Sequence, residues 1–109
     1  MSNIVRKPLL NALLGGRQIG SVDVREIQFE PGQATGRHLH PCPVIGYIAA
    51  GAAVLEIEGR PPQDLPTGAA FYEPADTVVA RFDNASATEP LTFIVCYLLK
   101  ADEPLIKML

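Results

Sequence analysis

Proline and glycine interrupt this chain at short intervals, and this punctuation limits the possible folds more than any other feature. The 109 residues include ten prolines and nine glycines. Few uninterrupted stretches are therefore long enough for a stable helix. β-Branched and aromatic residues fill the gaps between the breaks, which is typical of short strands joined by tight turns. We therefore expect an all-β fold.

The positions of the breaks predict individual strands, at 22–29, 44–50, 53–57, 63–65, 69–73, 77–82 and 91–99. In the first strand the apolar positions change phase between Val24 and Ile27, which predicts a β-bulge. The last strand is apolar almost throughout, which favours burial on both faces. Residues 8–14 fit a short helix or an early strand, and we favour the strand because so short a helix is marginal in water.

The length of the chain predicts one domain over residues 1–109, with a core that needs neither disulfides nor a structural metal. The core barrel should span about 20–99, with an N-terminal arm at 1–19 and a C-terminal tail at 100–109. The tail is apolar for a terminus, and 48% of the chain is hydrophobic. Some of this surface should be covered, which predicts a homodimer with the arm and tail at its interface.

Charge and motif content exclude several kinds of partner. The net charge of −3 is scattered, without the basic stripe that nucleic acids require or a cationic amphipathic helix for a membrane surface. No apolar run reaches the roughly 20 residues of a membrane span. There is no phosphate loop or dinucleotide fingerprint, so we expect no organic cofactor.

Cys42 and Cys96 form no C-x-x-C unit and indicate reduced thiols in a cytoplasmic protein. The expected partner is a small molecule.

The only two histidines of the chain, His38 and His40, are one residue apart on a predicted strand. Alternate side chains of a strand share one face, so both imidazoles could bind one metal ion. In extended backbone Cys42 has the same parity and could complete a His-His-Cys set. Pro41 and Pro43 favour extended backbone, but they also often start a turn that would move Cys42 away.

Two glycine-containing motifs give the chain a family resemblance. Gly32, five residues, and then His38-x-His40, with Gly51 after Tyr47-Ile48, resemble the first motif of the cupin superfamily. The second cupin motif is similar to the series Gly68, Pro74, Asp76, Val79 and Asn84. The resemblance covers about residues 20–99. It implies a small single-domain cupin, a double-stranded β-helix or jelly-roll barrel of six to eight strands.

The chain departs from the cupin pattern at two metal-ligand positions. Cupin metal sites usually take two histidines and a glutamate from the first motif and a third histidine from the second. Here Val44 stands at the glutamate position and Val79 at the histidine position. The resemblance therefore carries metal binding only to His38 and His40, an incomplete ligand set for Zn, Fe, Mn or Ni.

Other side chains could line a substrate pocket beside the histidines. Val44 and Val79 would supply an apolar surface. Arg81 follows Val79 by two residues, so it shares an inward face if Val79 points inward, and it could then hold a carboxylate or phosphate. The alternative places Arg81 at the rim, paired with Asp83 or Glu73. The phenols of Tyr47 and Tyr72 could lie at the barrel mouth or serve only in packing.

Three functions fit these residues. The leading hypothesis is a homodimeric barrel that binds a small organic ligand at His38 and His40 with a divalent metal, as the resemblance implies for dioxygenases and isomerases. The second hypothesis is a non-catalytic, metal-free binding or sensor barrel in which the histidines hydrogen-bond the ligand. The third is a structural module that acts through dimerisation.

Overall fold

All regular secondary structure between Asn3 and Leu109, the residues described in this computed structural model, is β-strand. The strands are β1 Ser21–Phe29, β2 His38–Leu39, β3 Val44–Ala50, β4 Ala53–Ile57, β5 Gln63–Leu65, β6 Ala70–Glu73, β7 Val79–Asn84, β8 Leu91–Leu99 and β9 Lys107–Met108. The all-β prediction is confirmed. These residues contain no helix long and apolar enough to cross a membrane.

The strands form two antiparallel sheets that enclose one core. The four-stranded sheet has the order β1-β8-β3-β6, and the five-stranded sheet has the order β5-β4-β7-β2-β9. Phe71, Phe82 and Phe93 pack together inside, with ring centroids 4.8 to 6.3 Å apart. Gly46 has no room for a side chain, because a Cβ there would overlap the Phe71 ring. The two sheets thus meet over an aromatic core.

β1 is a regular strand, and the predicted β-bulge in it is wrong. Its pairing with β8 runs without a break from Ser21↔Leu99 to Phe29↔Leu91. The apolar residues change phase because Val22 and Val24 lie on the outer face, where they are 53% and 61% exposed, while Phe29 belongs to the core. The apolar character of both faces, rather than an inserted residue, explains the sequence pattern.

Residues 8–14 and the C-terminal tail both contact the barrel. Residues 8–14 form neither the favoured strand nor a helix, and they lie against Ile45, Ala70 and Leu98 of the four-stranded sheet. The tail ends in β9, which pairs with β2. An ion pair of 2.9 Å between Arg17 and Glu103 joins the two terminal segments.

Candidate metal centre

Three potential metal ligands meet in the interior between the two sheets. His38 on β2 and His40 just after it come from the five-stranded sheet, and Glu73 ends β6 of the four-stranded sheet. One ligand atom from each of the three lies within 4.8 Å of the other two. All three residues are buried, with Glu73 only 3% exposed. Two imidazoles and a carboxylate are a donor set that suits Zn, Fe, Mn or Ni.

Backbone carbonyls orient both imidazole rings. The Nδ1–H of His38 donates to the carbonyl of Gly36 at 2.8 Å, and the Nδ1–H of His40 donates to the carbonyl of Leu105 at 2.7 Å. The carbonyl partners assign the ring protons to Nδ1. In each ring Nε2 is then the nitrogen that can bind a metal, which is the usual arrangement of metal-binding histidines in proteins.

His40 and Glu73 are in close contact in the interior. The Nε2 of His40 lies 2.8 Å from Oε2 of Glu73. Burial is the largest influence on the His40 pKa and lowers it, but the hydrogen bond and charge of Glu73 and the Leu105 carbonyl together raise the pKa above its usual value. A proton on Nε2 would bridge His40 and Glu73. Because a nitrogen cannot hold a proton and a metal together, a metal bound at Nε2 would displace that proton.

A mainly apolar cavity of about 170 Å³ adjoins the three ligands. Its walls include Val44, Phe71 and Ile106, and Tyr97 contributes a phenol. The centroid of the Tyr97 ring lies 5.8 Å from that of His40. Burial, and then the charge of Glu73, raise the pKa of Tyr97, so its hydroxyl stays protonated at neutral pH. This volume is below that of a typical drug-sized pocket, so it suits a small ligand.

Of the predicted ligands, His38 and His40 come together and Cys42 does not join them. Cys42 is fully buried in the core and does not line the cavity. Burial raises the pKa of its thiol, with a further contribution from Glu103. A thiol that stays protonated is a poor metal ligand. The structure brings Glu73 to the histidines instead.

The predicted pocket residues separate in the structure. Val44 lines the cavity, whereas Val79 packs in the core opposite His38. Tyr47 and Tyr72 lie on the outer face of the four-stranded sheet, and the Tyr72 hydroxyl is 3.5 Å from the Leu13 carbonyl. None of the three lines the cavity beside the histidines.

Arg81 points outward because the register shifts by one residue next to it. Glu56 pairs with Arg81 but Ile57 pairs with Val79, so Ala80 is the extra residue of a β-bulge. The bulge places Val79 and Arg81 on different faces. Arg81 binds Glu56 at 3.2 Å and lies 3.7 Å from Asp83, which matches the rim alternative with Asp83 as partner.

Glu73 is the site residue that motif reasoning missed. It pairs across the strands with Val44, the position where the cupin pattern has a glutamate. Directly paired residues of neighbouring strands share a face, so Glu73 places a carboxylate next to the position that Val44 leaves apolar. The sequence does carry one indication, because Glu73 has the parity of the core residue Phe71 on the same strand.

Comparison with known families agrees with this fold. A profile of the cupin domain matches residues 25–97, so the chain belongs to the cupin family. No curated protein matches the sequence.

Solved structures with the same fold include several cupins of diverse function. A cupin-like protein from Thermotoga maritima is 26% identical with a TM-score of 0.70, over 81% of this chain and 64% of that one. The DMSP lyase DddQ from Ruegeria pomeroyi is 22% identical with a TM-score of 0.69, over 81% and 43%. An oxalate oxidase in complex with the substrate analogue glycolate is 21% identical with a TM-score of 0.69, over 81% and 46%. The chain thus spans less than two thirds of each of these structures.

Proposed function

We propose that this cupin binds one divalent metal ion through His38, His40 and Glu73 and takes a small organic ligand in the adjoining cavity. The observation that carries the proposal is the convergence of the three donor atoms within 4.8 Å from two opposite sheets. A third ligand matters because a site with two histidines alone would leave most coordination positions to water and bind weakly. When bound, the ion would act as a Lewis acid toward a chelating ligand, as in dioxygenases or isomerases.

The protein's own residues have separate tasks in this proposal. The carbonyls of Gly36 and Leu105 hold the imidazoles with Nε2 toward the site. Glu73 changes from hydrogen-bond acceptor of His40 to metal ligand when the His40 proton leaves. The phenylalanines and Val44 give the cavity an apolar lining. Tyr97 offers a protonated hydroxyl to an oxygen of the ligand.

A second candidate, a metal-free binding barrel, is favoured by the ion pair itself. At 2.8 Å a protonated His40 and the Glu73 carboxylate would form a complete ion pair with one another. In that case the cavity would bind a mainly apolar molecule with one donor group, and Nε2 of His38 would accept a hydrogen bond from that group. The same geometry therefore supports two functions that metal analysis separates.

Metal titration of the purified protein tests the two candidates. After removal of metal with a chelator, we expect one equivalent of Mn²⁺, Fe²⁺, Zn²⁺ or Ni²⁺ to bind in calorimetry. His38→Ala should abolish this binding, and Cys42→Ala should keep it, since Cys42 is buried away from the cavity. A folded wild-type protein that binds none of the four ions would overturn the metal proposal and leave the metal-free barrel.

We also propose that the protein is located in the cytoplasm. Cys42 and Cys96 are both free thiols, which is typical of a reducing cytoplasm.

A further inference from the structure

Aromatic rings form much of the wall of the cavity beside the three candidate ligands. Four phenylalanines line it, namely Phe29, Phe71, Phe82 and Phe93. The Phe29 ring meets the Phe93 ring edge to face, with 5.2 Å between the centroids. Aromatic rings attract one another in this arrangement because their edges are positive and their faces negative. A planar ring is therefore better matched to these walls than an alkyl group of equal size.

The volume of the cavity corresponds to one small ring. The cavity measures about 170 Å³, and an engineered apolar cavity of about 150 Å³ holds one benzene molecule. Val44 and Ile106 add aliphatic groups to the wall. A single ring with a small substituent therefore fits the cavity, whereas a compound of two fused rings exceeds it.

Two buried polar groups that line the cavity have no hydrogen-bond partner there. Tyr97 is 7% exposed, and its hydroxyl makes no hydrogen bond within residues 3–109. His38 is 2% exposed, and its Nδ1–H donates to the Gly36 carbonyl, which leaves Nε2 as an acceptor. Buried polar groups nearly always have partners. A hydroxyl group on a ligand can donate to one and accept from the other.

The charges around the cavity disfavour an acidic ligand. Among the described residues that line it there is no lysine or arginine, and Glu73 contributes a carboxylate. Nε2 of His40 already has that carboxylate as its partner at 2.8 Å. A second carboxylate in the metal-free protein would be buried without a cation beside it, which is strongly unfavourable. The ligand expected from these walls is therefore uncharged.

We propose that the cavity binds a single-ring phenol, with its ring among the phenylalanines and its hydroxyl at His38 and Tyr97. The phenolic O–H donates to Nε2 of His38, and its oxygen accepts a hydrogen bond from the Tyr97 hydroxyl. This inference deepens the proposed function, because it rests on the cavity as the ligand site. It does not require the metal ion, since the phenylalanine walls are the same with or without one.

NMR titration of the full-length protein, after treatment with a chelator, tests this proposal with four probes. Phenol should bind one equivalent, about tenfold more tightly than benzene, because its hydroxyl satisfies buried polar groups. Cyclohexanol should bind several times more weakly than phenol, since it lacks the aromatic ring. Benzoate should bind at least about 100-fold more weakly, because its charge would be buried unpaired. Absent phenol binding, or cyclohexanol or benzoate binding as tightly as phenol, would overturn the proposal.

Tyr97→Phe separates the contribution of the hydroxyl from that of the ring. It should weaken phenol binding about 5- to 10-fold and leave benzene binding unchanged, because one hydrogen bond is lost and the ring is kept. The matched control is Tyr47→Phe, which removes a hydroxyl from the outer face of the four-stranded sheet and should bind phenol like wild type. Circular dichroism checks that both variants fold. Phenol affinities that are equal in Tyr97→Phe and wild type would overturn the placement of the hydroxyl at Tyr97.

Metal titration of the same samples separates this inference from the proposed metal site. A protein that binds a metal ion but no phenol would overturn the phenol proposal and leave the metal proposal standing. A protein that binds phenol but no metal ion would support the phenol proposal, and the cavity would then belong to a metal-free binding barrel.

Discussion

His38 and His40 are oriented in the same manner but by contacts of very different range. The Nδ1–H of His38 donates to the carbonyl of Gly36, two residues earlier. The Nδ1–H of His40 donates to Leu105, 65 residues later, and its Nε2 faces Glu73 on the opposite sheet. The site therefore has a local half at 36–38 and a long-range half at residues 40, 73 and 105. The contacts of the long-range half require that the two sheets face each other.

Removal of Glu73 should affect the long-range half most strongly. In Glu73→Ala the buried His40 loses its carboxylate partner, which we expect to cost about 2 to 3 kcal/mol in the metal-free protein. The cost stays moderate because His40 can release its proton. Metal affinity should fall by more than about 100-fold, beyond the usual effect of losing an outer-sphere partner. Urea unfolding measures the stability, and calorimetry measures the metal affinity. Unchanged values would show that Glu73 contributes to neither stability nor metal binding.

The all-β fold and the local half of the site could be predicted from the sequence for the same physical reason. Both rest on short-range properties of the sequence. These are the glycine and proline breaks, the alternation of side chains along a strand, and the spacing of His38 and His40. The pairing of Val44 with Glu73 and the docking of Leu105 on His40 depend on contacts between distant segments. Motif spacing carries no information about those registers. Parity with Phe71 indicates that Glu73 points inward, but not that it meets the histidines.

Counting alternate residues failed for the inward alternative of Arg81 and for the bulge predicted after Val24, and both failures have the same origin. Arg81 turns outward because β7 carries an extra residue opposite Glu56 and Ile57. The phase change after Val24 suggested a bulge in β1 that does not exist, since both faces of that strand carry apolar residues. Parity identifies the face of a residue only within an unbroken register and only when one face is polar.

Loss of the C-terminal tail should affect His40 more than His38. A chain that ends at Glu103 keeps the ion pair with Arg17 but lacks the Leu105 carbonyl and the cavity wall formed by Ile106. The truncation also removes β9, which pairs with β2 at His38. We expect nitrogen NMR to show that His40 loses its preference for the Nδ1–H form, while His38 keeps it through the neighbouring Gly36 carbonyl. Metal affinity should fall about 10- to 100-fold, the usual cost of losing a group that orients a ligand.

The control for the tail is Lys107→Ala, which removes an exposed side chain and keeps the backbone of β9. It should bind metal like the wild-type protein. If the shortened chain were folded, bound metal with wild-type affinity and kept both ring forms, the orientation of His40 would not come from Leu105.

The smallest effect is expected from a change in the local half. Gly36 has a φ of 80°, a left-handed conformation that costs an alanine about 1 kcal/mol. A Cβ at Gly36 would meet Met108 Cε at 3.7 Å, which is an ordinary contact. Strain, rather than collision, should therefore rotate the backbone and move the carbonyl that holds His38. Gly36→Ala should lower stability by about 1 kcal/mol and disturb the ring form of His38 without changing that of His40.

Gly59→Ala is the matched control for this strain, since Gly59 has a φ of 84°, no heavy atom within 4 Å of an added Cβ, and a turn position outside the site. It should lose a similar stability in urea unfolding and leave metal affinity and both imidazoles unchanged. If the two variants bound metal equally well, the Gly36 carbonyl would be dispensable. His38 would then depend on the closed barrel as much as His40 does, because β2 also pairs with β7 and β9.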